Sequence, residues 1–65
     1  MKKSKLTGFY LCPKGEAYII GTHAKPQKVQ VSFTDRNGKV LDWATTKADA
    51  SFMIRMEKLK KIGEV

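Results

Sequence analysis

Acidic residues are scarce in this sequence. Six Asp and Glu stand against 13 Lys and Arg, leaving a formal charge of +7 on 65 residues. Cysteine is scarcer still: Cys12 is alone, which excludes an internal disulfide and any multi-cysteine zinc site. A lone thiol suits a reducing cytoplasm, the expected location. No run approaches 18 consecutive apolar residues, so no transmembrane helix and no membrane partner are expected. Met1-Lys2-Lys3-Ser4-Lys5 has the charged start of a signal peptide, but Gly8, Pro13 and Gly15 interrupt the chain before an apolar core develops. A cleaved leader is therefore not expected.

The residues that carry chemistry are equally few. His23 is the only histidine, with no carboxylate or nucleophile near it in sequence. Cys12 and His23 could act as nucleophile and base, yet no third orienting group accompanies them. A chain this short buries only about 60% of its unfolded surface, which leaves little room for a desolvated pocket. Glycine-rich phosphate loops and metal-ligand spacings are missing too. Neither an enzyme nor a cofactor nor a metal site is expected.

What is present is folded-protein composition, 42% hydrophobic and 29% charged, with the charge unevenly placed. Residues 1–28 hold six Lys and one Glu; residues 29–46 are neutral; residues 47–65 hold five basic and three acidic groups. The excess thus sits in an expected flexible arm over residues 1–7, in the first loops, and in Lys58, Lys60 and Lys61. An arm with a second basic cluster suits a polyanion, through phosphate contacts.

Residues 8–65 read as one small α+β domain. Phe9-Tyr10-Leu11-Cys12 and Glu16 to Ile20 flank Pro13-Lys14-Gly15, a turn in which Pro13 presets φ and Gly15 takes the left-handed corner. Pairing Cys12 with Glu16 sets Tyr10 opposite Tyr18 and Phe9 opposite Ile19. One face then holds Phe9, Leu11, Ala17 and Ile19, taken as the core face; Tyr10 and Tyr18 share the other. Gly21 to Lys28 reads as a loop.

Val29 to Thr34 alternates as a half-buried strand should, and Val40 to Thr45 returns. A two-residue Asn37-Gly38 turn would put Leu41 and Trp43 on the face opposite Val31 and Phe33. A three-residue loop with Gly38 in the bulge pairs Asp35 with Lys39 and keeps all four on one face. Register follows the buried face, so the bulged hairpin is expected, with Trp43 in the core. Thr46 then caps a helix with Asp49 three residues on, running from about Lys47 to Ile62 and stopping at Gly63. Ala48, Phe52, Met56, Leu59 and Ile62 form its core stripe, with Ile54 exposed among Glu57, Lys58 and Lys61. The expected fold is β-β-β-β-α, a small antiparallel sheet with one helix on one face. Its uncovered face should show Tyr10, Tyr18, Gln30, Ser32 and Thr34.

Aromatic rings on an open sheet stack unpaired bases while lysines hold the backbone. The candidate nucleic-acid site is therefore Tyr10 and Tyr18 with Lys2, Lys3, Lys5, Lys14, Lys25, Lys28 and Arg36, RNA ahead of DNA. A different reading is a small modulator or inhibitor of a host protein, acting through a sheet edge or through Ile54, Lys58 and Lys61 on the helix. The chain is expected to be a monomer or a weak homodimer through the same edge.

Two resemblances bear on this. Residues 15–46, with the run Thr34-Asp35-Arg36-Asn37-Gly38-Lys39-Val40-Leu41-Asp42-Trp43-Ala44-Thr45 after an alternating strand, resemble the N-terminal hairpin of bacterial small-subunit ribosomal protein eleven. The resemblance implies an RNA setting, but that family's Gly-rich basic loop has no counterpart here, since Thr46 leads straight into the helix. More weakly, the size, two hairpins and C-terminal helix are similar to small basic archaeal chromatin proteins, with Val31 to Asp35 in a comparable strand. That similarity implies duplex DNA and an apolar wedge, which the expected open face does not supply.

Overall fold

The computed structural model describes residues 5–65. Five strands and a helix follow one another: β1 Gly8–Leu11, β2 Ala17–Thr22, β3 Lys28–Thr34, β4 Val40–Thr46, α1 Lys47–Met56 and β5 Lys60–Gly63. They form one antiparallel sheet in the order β4-β3-β2-β1-β5, with α1 packed on β3 and β4. The fold is α+β, as the sequence leads one to expect, with a fifth strand added.

Both hairpins take the expected registers. Cys12 N–H donates to Glu16 O at 2.8 Å, Gly15 closes the turn at φ +90°, and Tyr10 lies opposite Tyr18. In the second, Asp35 N–H donates to Lys39 O at 3.0 Å with Gly38 at φ +85°, and Phe33 and Val31 oppose Leu41 and Trp43. The Asp35 carboxylate accepts from the Asn37 and Lys39 amides, which fixes the loop.

The face of the first hairpin is reversed from expectation. Opposed residues share a face, and β2 pairs with β3 so that Tyr18 meets Phe33 and Ile20 meets Val31. Tyr10, Cys12, Tyr18, Ile20, Val29 and Val31 are therefore the buried set, on the side of the sheet where α1 packs. Phe9, Leu11, Ala17 and Ile19 stand on the uncovered face instead. The tyrosines suit the core because each is accommodated there. The Tyr10 hydroxyl donates to Leu6 O at 2.8 Å, and the Tyr18 ring tilts against Phe33 at 4.7 Å between centroids. Trp43 is on the core side but, in an edge strand, stays 37% exposed.

The N-terminal segment is less arm-like than expected. Leu6 packs on the core and Thr7 is buried. Lys2 and Lys3 lie outside the described residues.

The helix starts as expected. Thr46 Oγ1 accepts from Asp49 N–H at 3.1 Å, and Asp49 in turn accepts from Thr45 Oγ1. It ends six residues early, at Met56 rather than Ile62. Leu59 N–H donates to Ile54 O at 2.9 Å and Lys58 N–H to Arg55 O, a Schellman stop with Lys58 left-handed at φ 54°. That stop seats Leu59 in the core beside a half-buried Ile54 and frees residues 60–63 to satisfy the open edge of β1. Ala50, Met53 and Ile54 face the sheet, while Phe52 and Met56 of the expected stripe are more than 60% exposed. Lysine at a left-handed stop costs about 1 kcal/mol or more against glycine. Lys58→Gly should accordingly raise stability by about 1 kcal/mol, read as a higher urea midpoint at unchanged slope. A lower midpoint would show that the Lys58 side chain contributes more than its backbone costs.

Candidate functional site

The uncovered face is ordered in rows set by strand pairing. One row runs Lys60, Leu11, Ala17, Thr34, Val40 across β5, β1, β2, β3 and β4; the next runs Phe9, Ile19, Ser32, Asp42. A third holds Gly21, Gln30 and Ala44, and Lys28 starts β3 on the same face. Phe9, Leu11 and Ile19 are each about 40% exposed, and Val40 is 60% exposed. The result is an apolar patch centred on one aromatic ring, beside polar Ser32, Thr34 and Gln30. The acid in these rows, Asp42, is held at 2.6 Å by the Gln30 amide.

Cations border the patch at one end. Lys60 lies directly opposite Leu11. The two hairpin turns are neighbours, since the Arg36 side chain reaches to within 3.9 Å of where a Gly15 Cβ would stand. That end therefore carries Lys14, Arg36 and Lys39, with Lys60 at the start of β5. Beyond it, Lys14 and Lys58 help line a shallow cleft of about 280 Å³ with Cys12 and Glu57. Lys25 and Lys28 lie at the opposite end, in and after the β2–β3 loop, where Lys25 N–H donates to His23 Nδ1 at 3.0 Å.

Of the sequence-expected site, the structure places Lys28 on the open face and Lys14 and Arg36 at its basic end, but puts Tyr10 and Tyr18 beneath the sheet. Lys5 is described but belongs to none of these rows. Neither tyrosine can stack a base from there. Burial, reinforced by Glu57 and Glu16, pushes the Tyr18 phenol above its ordinary pKa, as an interior ring requires. The helix-face alternative loses its anchor as well. Ile54 is half-buried against the core, and Lys61 folds back over Gly8 and pairs with Glu64 at 2.9 Å. Phe9, Leu11, Ile19, Lys39 and Lys60 were not expected here. The missing signal is non-local, because the burial of the tyrosine face follows from how β2 pairs with β3, against the more apolar look of the other face.

Cys12 and His23 do not meet. Cys12 precedes β2 at one end, buried with its thiol donating to Glu57 O at 3.7 Å; His23 follows β2 at the other. Among the described residues no three His, Cys, Asp or Glu side chains gather as a metal site needs, and no helix is long and apolar enough to cross a membrane. Comparison with protein-family models, curated proteins and solved structures returns no match.

Proposed function

We propose that this is a non-enzymatic nucleic-acid-binding protein of the cytoplasm that lays a single strand, RNA ahead of DNA, across its open sheet face. The observation that carries the reading is Phe9: an exposed aromatic ring on the uncovered face of the sheet, flanked by Leu11 and Ile19 and bordered by Lys60. A ring so placed offers a π-face to any unpaired base. Lys60, Lys14 and Arg36 at one end and Lys28 and Lys25 at the other suit phosphates on either side of it, and Lys2, Lys3 and Lys5 add sequence-independent attraction. RNA is favoured because unpaired loops and bulges, which an open sheet can stack, are where RNA is read.

Fluorescence anisotropy with a labelled single-stranded RNA tests this. Phe9→Ala should weaken binding roughly tenfold, one lost stack, while leaving the fold intact. Lys28→Gln with Lys60→Gln should flatten the salt dependence by about 0.7 per lost phosphate contact. Equal affinity for wild type and Phe9→Ala, or binding that ignores salt, removes the proposal. A protein partner is the second reading, and what favours it is the edge of β4, which no strand among the described residues pairs.

A further inference from the structure

We propose that the open face reads one base of the bound strand, a guanine, seated on the bare backbone of Gly21 and recognised by Gln30 with Asp42. This rests on the nucleic-acid reading above and gives it a base specificity. Gly21 lies in β2 on the open face, in one row with Gln30 and Ala44. Nothing stands within 4 Å of its missing Cβ. A glycine inside a strand opens the backbone to close approach by a ligand. Ile19 precedes it on the same face, and Phe9, paired with Ile19, is its diagonal neighbour at about 7–8 Å. The gap is thus next to the ring that takes a stacked base, where the adjoining base of the same strand falls.

Asp42 selects the base. It is the acid in the rows of this face, and a carboxylate beneath a polyanion weakens every complex unless a base bonds to it. The recognition pair is built before any ligand arrives: Gln30 Nε2 donates to Asp42 Oδ1 at 2.6 Å. An ionised carboxylate only accepts, so this bond fixes which way the Gln30 amide is turned. The second hydrogen on Nε2 and the remaining lone pairs of the carboxylate stay available. In order along the pair they offer one donor and then two acceptors.

Guanine carries the complement on its Watson–Crick edge: O6 accepts, while N1–H and the 2-amino group donate. Adenine, cytosine and uracil each meet at most two of the three groups. That edge is free only where the base is unpaired, as in the single strand that an open sheet binds. Lys28, two residues before Gln30 on the same strand and face, suits a phosphate beside this base.

Fluorescence anisotropy of the full chain tests the assignment with labelled uridine tracts, each holding one guanine, inosine, adenine or cytosine at its centre. The guanine tract should bind about tenfold tighter than the adenine or cytosine tract or plain uridine. Inosine, which lacks only the 2-amino group, should lose most of that advantage. Asp42→Asn replaces an acceptor by a donor and should abolish the preference without weakening binding of the plain uridine tract. Gly21→Val fills the gap with a residue suited to a strand. It should also remove the preference, with its urea midpoint at or above that of wild type. Equal affinity for all tracts, with binding still dependent on Phe9, overturns the guanine site and leaves the stacking face standing. So does a guanine preference that survives Asp42→Asn, because the base is then read elsewhere. Failure to bind any tract at low salt overturns both.

Discussion

Tyr18→Ala is expected to bring the domain to the edge of unfolding at room temperature, whereas Phe9→Ala, one strand away and equally aromatic, should leave it folded. Tyr18 is 7% exposed on the helix side of the sheet, its ring 4.7 Å from that of Phe33. Truncating a buried aromatic costs about 3–5 kcal/mol through lost transfer energy and the cavity left behind. Domain stabilities run from about 5 to 15 kcal/mol, and a small domain lies at the low end. Phe9 is 40% exposed and would lose much less. Urea denaturation followed by circular dichroism separates the two. If Phe9→Ala unfolds the chain and Tyr18→Ala does not, the sheet presents its other face and the proposed binding surface goes with it. Tyr18→Phe keeps the ring and should be mild. Because burial raises the folded-state phenol pKa above its unfolded value, the stabilisation is complete below the unfolded pKa, near 10. It is lost as pH rises through the folded pKa. Wild type should therefore lose stability in that alkaline range more steeply than Tyr18→Phe.

The contrast between those two rings also marks where sequence reading stopped. Each hairpin's register was legible because it is decided within a few residues: Pro13 and Gly15 shape one turn, the Asp35 carboxylate and Gly38 the other. Which face of the first hairpin is buried is decided elsewhere, by the parity with which the His23–Gln27 loop delivers β3 beside β2. Ile20 meets Val31 rather than Gln30, and that one-residue choice turns every side chain of β1 and β2 over. The local residues favour Phe9, Leu11, Ala17 and Ile19 as the core face, and the β2–β3 pairing overrides that preference. The helix end was illegible for a different reason. Gly63 is the residue that normally signals a stop, but the left-handed position is taken by Lys58. The 3.6-residue pattern therefore ran on through residues that are a strand. Lys60 belongs to the basic cluster that the sequence offers for phosphates, but only in β5 does it stand opposite Leu11 at the rim of the apolar patch. The charge of the site was thus readable from composition, and its aromatic centre and nearest cation were not.

β5 also supplies a sharp mutational test, at Gly8. Its φ of +153° lies where only glycine is at ease, and a Cβ there would stand 2.6 Å from Lys61 Cε and 2.7 Å from Gly63 O. The lysine tip can swing away. The carbonyl belongs to the backbone of β5, so relieving that contact means moving the strand. β5 is a four-residue edge that, among the described residues, pairs only with β1, and it follows directly on Leu59, whose side chain belongs to the core. Gly8→Ala is therefore expected to cost about 2–4 kcal/mol, the combination of backbone strain and a forced shift of packed chain. Gly21 is the internal control. It sits in β2 with nothing within 4 Å of its missing Cβ, and alanine there should be neutral or stabilising by up to about 1 kcal/mol, mainly through the unfolded chain. Amide exchange localises the damage. In Gly8→Ala the amides of residues 60–63 should lose protection while those joining β2, β3 and β4 retain it, since those two ladders do not pass through β5. Equal stability of the two variants would mean that β5 does not lie against β1 as described. If the damage is localised as expected, Lys60 leaves the rim of the Phe9 patch together with its strand. Gly8→Ala should then weaken RNA binding although residue 8 presents no side chain to a ligand.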